Sequence, residues 1–92
     1  MKQQFRTLTE GHIRRYALYL QEQERSAATI RKYLRDLTAL QYWLKGAPLT
    51  KCALIGWKEM LVASHAPATV NSMLAAVNSF LAFMGWRELR VR

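Results

Sequence analysis

The sequence has few residues that form covalent or metal cross-links. Its 92 residues contain one cysteine, Cys52, and two histidines, His12 and His65. A single cysteine excludes an internal disulfide framework, and two histidines so far apart give no metal-ligand spacing. We therefore expect neither a metal nor a cofactor, and a structural or incidental role for Cys52.

Signals for export and membrane insertion are also missing. The N-terminal stretch MKQQFRTLTEG lacks the apolar core of a secretory signal. No apolar run approaches the roughly 20 residues that span a bilayer. These absences predict a soluble, cytoplasmic chain that does not span a membrane.

Catalytic patterns are lacking as well. The sequence has no paired carboxylates, no Ser-His-Asp set and no Gly-rich phosphate loop, which are the usual signs of an active site. An enzyme active on its own is therefore the least favoured class.

Acidic residues are scarce compared with basic ones. Six Asp and Glu oppose 14 Lys and Arg, which leaves a formal net charge of +8 and a pI near 10.3. Such an excess is typical of proteins that meet polyanions, so nucleic acid and acidic membrane surfaces are the candidate partners. The length and the 51% hydrophobic content suit one compact domain over residues 1–92.

What the sequence does have is helical periodicity, with no strand alternation and no hairpin turn. Four segments start at a capping residue or a proline and stop near a polar or glycine-containing break. They run from Thr9 to about Glu24, from Ser26 to Gly46, from Thr50 through Leu61, and from Pro67 to Gly85. The pattern predicts an all-α fold of four helices.

Apolar stripes mark the faces that we expect to be buried. The second helix has the longest stripe, which comprises Ile30, Tyr33, Leu34, Leu37, Leu40 and Leu44. The fourth stripe comprises Val70, Met73, Leu74, Val77, Phe80, Leu81 and Met84.

Two of the helix starts resemble each other. The stretch SAATIRKYLRDL, residues 26–37, returns as APATVNSMLAAV, residues 66–77. Duplication is one explanation, and similar first turns on any two amphipathic helices are another. In each copy a threonine, Thr29 or Thr69, stands beside free backbone N–H groups, an arrangement that suits a phosphate.

The exposed faces of these two helices differ in charge. The fourth segment has no charged residue between residues 66 and 84 and offers polar side chains such as Asn71 and Ser72, which suit base edges. An ordinary solvated face also explains the basic second helix, but the net charge favours binding. The second segment and the residue before it present Arg25, Arg31, Lys32, Arg35 and Lys45, opposed only by Asp36.

Nearly the whole chain resembles the N-terminal core-binding, or SAM-like, domain of tyrosine recombinases, the phage integrases and Xer-type proteins. The segments that carry the resemblance are LTEGHIRRYALYLQEQ, RSAATIRKYLRDLTALQYWL, a third that opens with LT, and APATVNSMLAAVNSFLAFMGW. The most specific element, S-x-x-T-[hydrophobic]-x-x-Y-x-x-D-L, is filled by Ser26, Thr29, Ile30, Tyr33, Asp36 and Leu37.

The resemblance implies a compact orthogonal bundle of four helices that clamps one face of a recombination site. Its second and fourth helices would enter the major groove of double-stranded DNA. Family members usually carry an Arg or Lys on the fourth helix, where this chain has Ala75, Ala76, Asn78 and Ser79. The candidate DNA-binding residues are Arg25, Thr29, Arg31, Lys32 and Arg35, followed by Thr69, Asn71 and Ser72.

In that family the tyrosine nucleophile and its Arg, Lys and His partners lie in a separate C-terminal domain, which is absent from this chain. The implied partners are DNA, that catalytic domain and, on DNA, other recombinase protomers; the isolated domain is expected to be a monomer. We expect no nucleophile among Tyr16, Tyr19, Tyr33 and Tyr42, most of which fall at packing positions.

Two other classes stay open. A helical protein-interaction module would use the uncharged face of the fourth helix with an exposed Phe83 or Trp86. A helix-turn-helix regulator is disfavoured, because its tight turn often contains Gly, and neither residues 24–26 nor residues 63–67 contain one.

Overall fold

Four α-helices and one short 3₁₀ turn form the fold. The computed structural model describes residues 6–91, and no strand occurs within them. The all-α prediction is confirmed, with helix ends within three residues of those expected. The elements are α1 (Glu10–Glu22), α2 (Ala27–Leu44), α3 (Lys51–Ser64), α4 (Pro67–Met84) and the 3₁₀ turn (Arg87–Leu89).

The first three helices begin at a side-chain cap. The oxygens of Thr9, Ser26 and Thr50 each accept a hydrogen bond from the backbone N–H three residues ahead, at 3.1, 3.1 and 3.0 Å. Helix α4 begins differently, because Ala66 has no hydroxyl and Pro67 occupies the first helical position.

The core lies where the four helices meet. The radius of gyration of 12.9 Å is that of a compact chain of this length, for which about 12–13 Å is expected. The largest fully buried side chains are Trp57, Tyr16, Phe80, Leu20, Leu37 and Leu40.

The predicted stripe of α2 is buried only in its C-terminal half. Leu37, Leu40 and Leu44 are buried, as predicted, whereas Tyr33 and Leu34 in the N-terminal half are half-buried. Leu34 lines a shallow groove of about 320 Å³ between α1 and α2, which leaves part of its side chain in contact with solvent.

The connection between α1 and α2 turns tightly without a glycine. Glu24 takes the left-handed conformation that glycine usually supplies, with φ of 57°. A tight turn between two helices therefore does not need a glycine here, and the lack of glycine in residues 24–26 does not exclude a helix-turn-helix regulator.

Helix α4 is long and apolar enough to cross a membrane by length and composition alone. This corrects the expectation that no apolar run comes close to bilayer length. Core helices of soluble proteins can have the same length and apolar composition, and six residues of α4 are buried within the fold. The apolar composition of α4 is therefore no evidence for a membrane span.

Arg6 and Val91, which lie outside the helices, form bonds to residues far away in the sequence. The Arg6 carbonyl accepts a hydrogen bond from the Leu49 N–H at 2.5 Å, and the Arg6 guanidinium pairs with Glu88. At the other end, the Asn78 side chain donates to the Val91 carbonyl at 2.7 Å and accepts from its N–H at 3.1 Å. Arg6 and Val91, the first and last described residues, are thus held against the rest of the fold.

Candidate nucleic-acid interface

A groove of about 460 Å³ separates the first turns of α4 from the middle of α2. We call it the α2/α4 groove. Small residues on α4 leave this space open beside the longer side chains of α2. The polar and charged side chains that line it are Lys32, Arg35 and Asp36 from α2, His65, and Thr69 and Ser72 from α4. The structure thus brings together four of the candidate residues: Lys32, Arg35, Thr69 and Ser72.

Lys32 is paired within the protein. Its ammonium group bonds the carboxylate of Asp36 one turn later and lies 5.9 Å from the centre of the Tyr33 ring. Asp36 is only 4% exposed and is the one buried charged residue within residues 6–91. Removal of Lys32 would leave this carboxylate buried and uncompensated, which destabilises a fold. Lys32 is therefore a structural residue as well as a candidate contact.

Arg31 and Arg35 are differently placed. Both are exposed on α2, one helical turn apart. Neither guanidinium group forms an ion pair or a hydrogen bond with any other residue of the described chain. The guanidinium group of Arg35, which lines the α2/α4 groove, and that of Arg31 one turn earlier are thus available to an anionic partner.

The two similar helix starts are not equivalent in the structure. At α2, Ser26 accepts from the Thr29 N–H and donates to the Thr29 hydroxyl at 2.9 Å, which leaves the N–H groups of Ala27 and Ala28 without a partner within residues 6–91. At α4, the N–H groups of Ala68 and Thr69 have no hydrogen-bond partner within the same residues. Both starts therefore have donors available to a ligand, and they differ in that the threonine N–H is capped at α2 and uncapped at α4.

The remaining candidates lie outside the α2/α4 groove. Asn71 lines a smaller groove of about 190 Å³ between α3 and α4, together with Lys58 and His65. Arg25 is exposed just before α2, and Arg31 lies one turn before Arg35.

His65 was missed by sequence reasoning. It lies between α3 and α4 and lines both grooves. No local pattern signals it, because its position beside Lys32 and Arg35 arises only from the packing of α4 against α2.

With this geometry established, comparison with known proteins identifies the family. Residues 13–88 match the family model described as phage integrase, N-terminal SAM-like domain. The chain belongs to this family. No curated protein and no solved structure matches it. The SAM-like domain is the N-terminal part of integrases and not their catalytic domain, so membership supports a role in a tyrosine recombinase or integrase and confirms the resemblance drawn from the helix patterns.

Three of the four α4 positions at which the resemblance implies an Arg or Lys are used in packing. Ala76 is fully buried, the Asn78 side chain binds Val91, and Ser79 accepts a hydrogen bond from Tyr16 at 2.8 Å. Only Ala75 of the four positions is exposed.

Proposed function

We propose that this chain binds double-stranded DNA as the N-terminal arm of a tyrosine site-specific recombinase or integrase. Residues 1–92 would form a single DNA-binding domain that is monomeric when free and meets other protomers on DNA. Strand cleavage would belong to a separate catalytic domain. The observation that carries the proposal is the pair of unpartnered guanidinium groups, Arg31 and Arg35, beside a groove that ends at the uncapped start of α4.

The electrostatics support a polyanionic partner. The chain carries a net charge of +8, and the one acid of α2, Asp36, is buried against Lys32. The exposed face of α2 therefore carries cations and no anion. Counterions released from DNA phosphates by such a face supply most of the affinity of non-specific binding.

The proposed roles follow from the position of each side chain. Arg25, Arg31 and Arg35 would contact phosphates from α2, with Thr29 beside its capped start. Thr69 and its backbone N–H would contact a phosphate from α4, because donors at a helix start favour anions. Lys32 would add charge while holding Asp36, and Ser72 and Asn71 would approach base edges.

The protein-interaction alternative loses its expected anchors in the structure. Phe83 and Trp86 are half-buried. Phe83 stacks against Tyr19 with ring centres 4.7 Å apart, and Trp86 packs edge-on against Phe80 at 6.2 Å. Neither ring offers the exposed aromatic surface that a partner groove requires.

Titration of the chain with a short mixed-sequence duplex at several salt concentrations tests the proposal. We expect log K to fall with log salt at a slope of about −4 to −5, because about five phosphates are neutralised. Arg31→Ala and Arg35→Ala should each weaken binding and flatten that slope by about one.

Arg87→Ala is the matched control. Arg87 is exposed in the 3₁₀ turn, which follows the C-terminal end of α4. Met73, the last α4 residue that lines the α2/α4 groove, is about 17 Å along the axis from Met84 at that end. The proposal is wrong if affinity does not respond to salt, or if Arg87→Ala reduces the slope as much as the two α2 changes.

A further inference from the structure

Tyr42 is the most exposed large hydrophobic side chain within residues 6–91. Its exposed fraction is 82%, compared with 56% for Leu18 and 36% for Trp43. The sequence pattern placed most tyrosines at packing positions, and Tyr42 is a clear exception. An aromatic ring held in water on a rigid helix loses the stabilisation that burial of its surface would give.

Tyr42 belongs to a continuous exposed stripe on α2. Residues spaced by three or four lie on the same side of a helix, and all five members of this set are exposed. No acidic residue lies among them, because Asp36 is turned inward to Lys32. This α2 stripe consists of Arg31, Arg35, Thr38 and Tyr42, together with Lys45, the left-handed residue that directly follows the helix.

The chemistry changes along the α2 stripe. Its ends, Arg31 and Lys45, are cationic, whereas Thr38 and Tyr42 in its C-terminal half are uncharged. The Thr38 hydroxyl donates to the Leu34 carbonyl at 2.8 Å, so its proton is used within the helix. Tyr42 is thus the side chain of this half that offers both an apolar ring and an available hydroxyl.

The dimensions of the stripe fit those of a DNA major groove. At 1.5 Å per residue, Arg31 and Lys45 are separated by about 21 Å along the helix, and Arg35 and Tyr42 by about 10 Å. The major groove of B-DNA is about 12 Å wide. A helix laid across it would place Tyr42 within the groove, Arg35 at one edge beside the phosphates, and the two end cations over the phosphate strands on either side.

We propose that Tyr42 contacts base edges, with its ring packed against a thymine methyl group. In this arrangement Arg31 and Lys45 hold the phosphate strands that flank the groove. The inference rests on the proposed function, and it adds the C-terminal half of α2 and a specificity-determining residue to the interface. The uncharged ring gives sequence preference because a thymine methyl group is an apolar feature of the major groove.

Selection of tightly bound duplexes from a pool with a randomised centre provides the cognate probe for the 92-residue chain. Tyr42→Ala should bind the selected duplex about 5- to 100-fold more weakly than the parent does, which is the range of one good base contact. Its affinity for a scrambled duplex and its salt slope should stay unchanged, whereas Lys45→Ala should flatten the slope by about one.

A methyl-deletion experiment isolates the contact itself. Replacing each thymine of the selected duplex by uracil removes one methyl group and leaves the hydrogen-bonding edges intact. At one or two positions the parent should lose affinity on this change, whereas Tyr42→Ala should not, so that protein and DNA changes are non-additive. Tyr42→Phe, which keeps the ring, should retain the methyl dependence.

Leu18→Ala is the matched control, because Leu18 is also exposed but lies on α1. It should bind both duplexes as the parent does. Thermal melts of Tyr42→Ala and Leu18→Ala should overlay the parent, since neither side chain is buried.

The possible negative results distinguish a wrong role for Tyr42 from a wrong proposed function. If Arg31→Ala flattens the salt slope but Tyr42→Ala binds every duplex like the parent, the role of Tyr42 is wrong and the proposed function stands. If Tyr42→Ala instead abolishes self-association of the chain without changing DNA affinity, the ring belongs to a protein contact and the inference is overturned. If the parent binds no duplex, both proposals fail.

Discussion

The phenol of Tyr16 lies within the hydrophobic core. It is fully buried, and its hydroxyl donates to Ser79 at 2.8 Å. Burial raises the pKa of Tyr16 above its ordinary value of 10.0, and the hydrogen bond to Ser79 offsets only part of that rise. The folded state thus keeps the phenol protonated at a pH at which the unfolded chain has begun to lose the proton.

This pKa shift predicts a loss of stability in alkali. A raised folded-state pKa contributes stability that is fully present below the unfolded-state pKa of about 10 and is lost as pH rises through the folded-state value. Thermal melts from about pH 8 to about pH 11 should therefore fall more steeply for the parent than for Tyr16→Phe. At neutral pH, Tyr16→Phe should cost about 1 kcal/mol, because the hydrogen bond to Ser79 is lost. Parallel alkaline slopes for the two proteins would contradict this account.

Among single residues, contacts between near neighbours in the sequence were predictable and long-range contacts were not. The caps at Thr9, Ser26 and Thr50 were predictable because donor and acceptor lie three residues apart. The bond from Tyr16 to Ser79 spans 63 residues, and no local pattern contains it. The exposure of Tyr42 was likewise missed, because it depends on which side of α2 the other helices leave open.

At the scale of elements, two glycines have opposite roles. Gly56 lies within α3, where an added Cβ would meet the ring of Trp43 at an ordinary contact distance of 3.5 Å. Gly85 ends α4 at φ of 77°, with open space around the position of a Cβ. Only the second glycine is required by the backbone, since its conformation strains other residues.

Alanine substitutions should separate these roles. Gly56→Ala should raise the free energy of unfolding by about 0.5–1 kcal/mol, because a mid-helix glycine is unfavourable and the space accepts a methyl group. Gly85→Ala should lower it by about 1–2 kcal/mol through left-handed strain. Urea denaturation measures both, and shifts of the same sign would show that one of the two environments is misassigned.

The elements themselves were largely predictable from sequence, and their mutual arrangement was not. Helical periodicity and caps gave four helices, and charge pointed to α2. The α2/α4 groove, however, depends on how α4 packs, which brings His65 and Thr69 to the side of Lys32. Residues from two stretches of the chain, 32–39 and 65–73, meet there, and spacing along one helix cannot predict such a meeting.

At the scale of the whole molecule, long-range bonds hold Arg6 and Val91 against the rest of the fold. Asn78 makes two hydrogen bonds to the backbone of Val91, and both groups are at least partly shielded from water. Asn71, seven residues earlier on α4, is exposed. The two asparagines therefore form a natural comparison.

Asn78→Ala should lower the free energy of unfolding by about 1–2 kcal/mol, because two modest hydrogen bonds are lost. It should also speed hydrogen exchange at the Val91 N–H, which opens to solvent when its acceptor is removed. Asn71→Ala should leave both measurements at the parent values. Unchanged exchange at Val91 in Asn78→Ala would show that other contacts hold this segment.

The bond between Asn78 and Val91 also has a mechanical consequence. Thr69 and Asn78 lie on one rigid helix, about 13 Å apart along its axis. A displacement of α4 at its Thr69 end would therefore be passed on to Val91 through these two hydrogen bonds. In Asn78→Ala, which lacks both bonds, the backbone at Val91 would no longer be tied to α4.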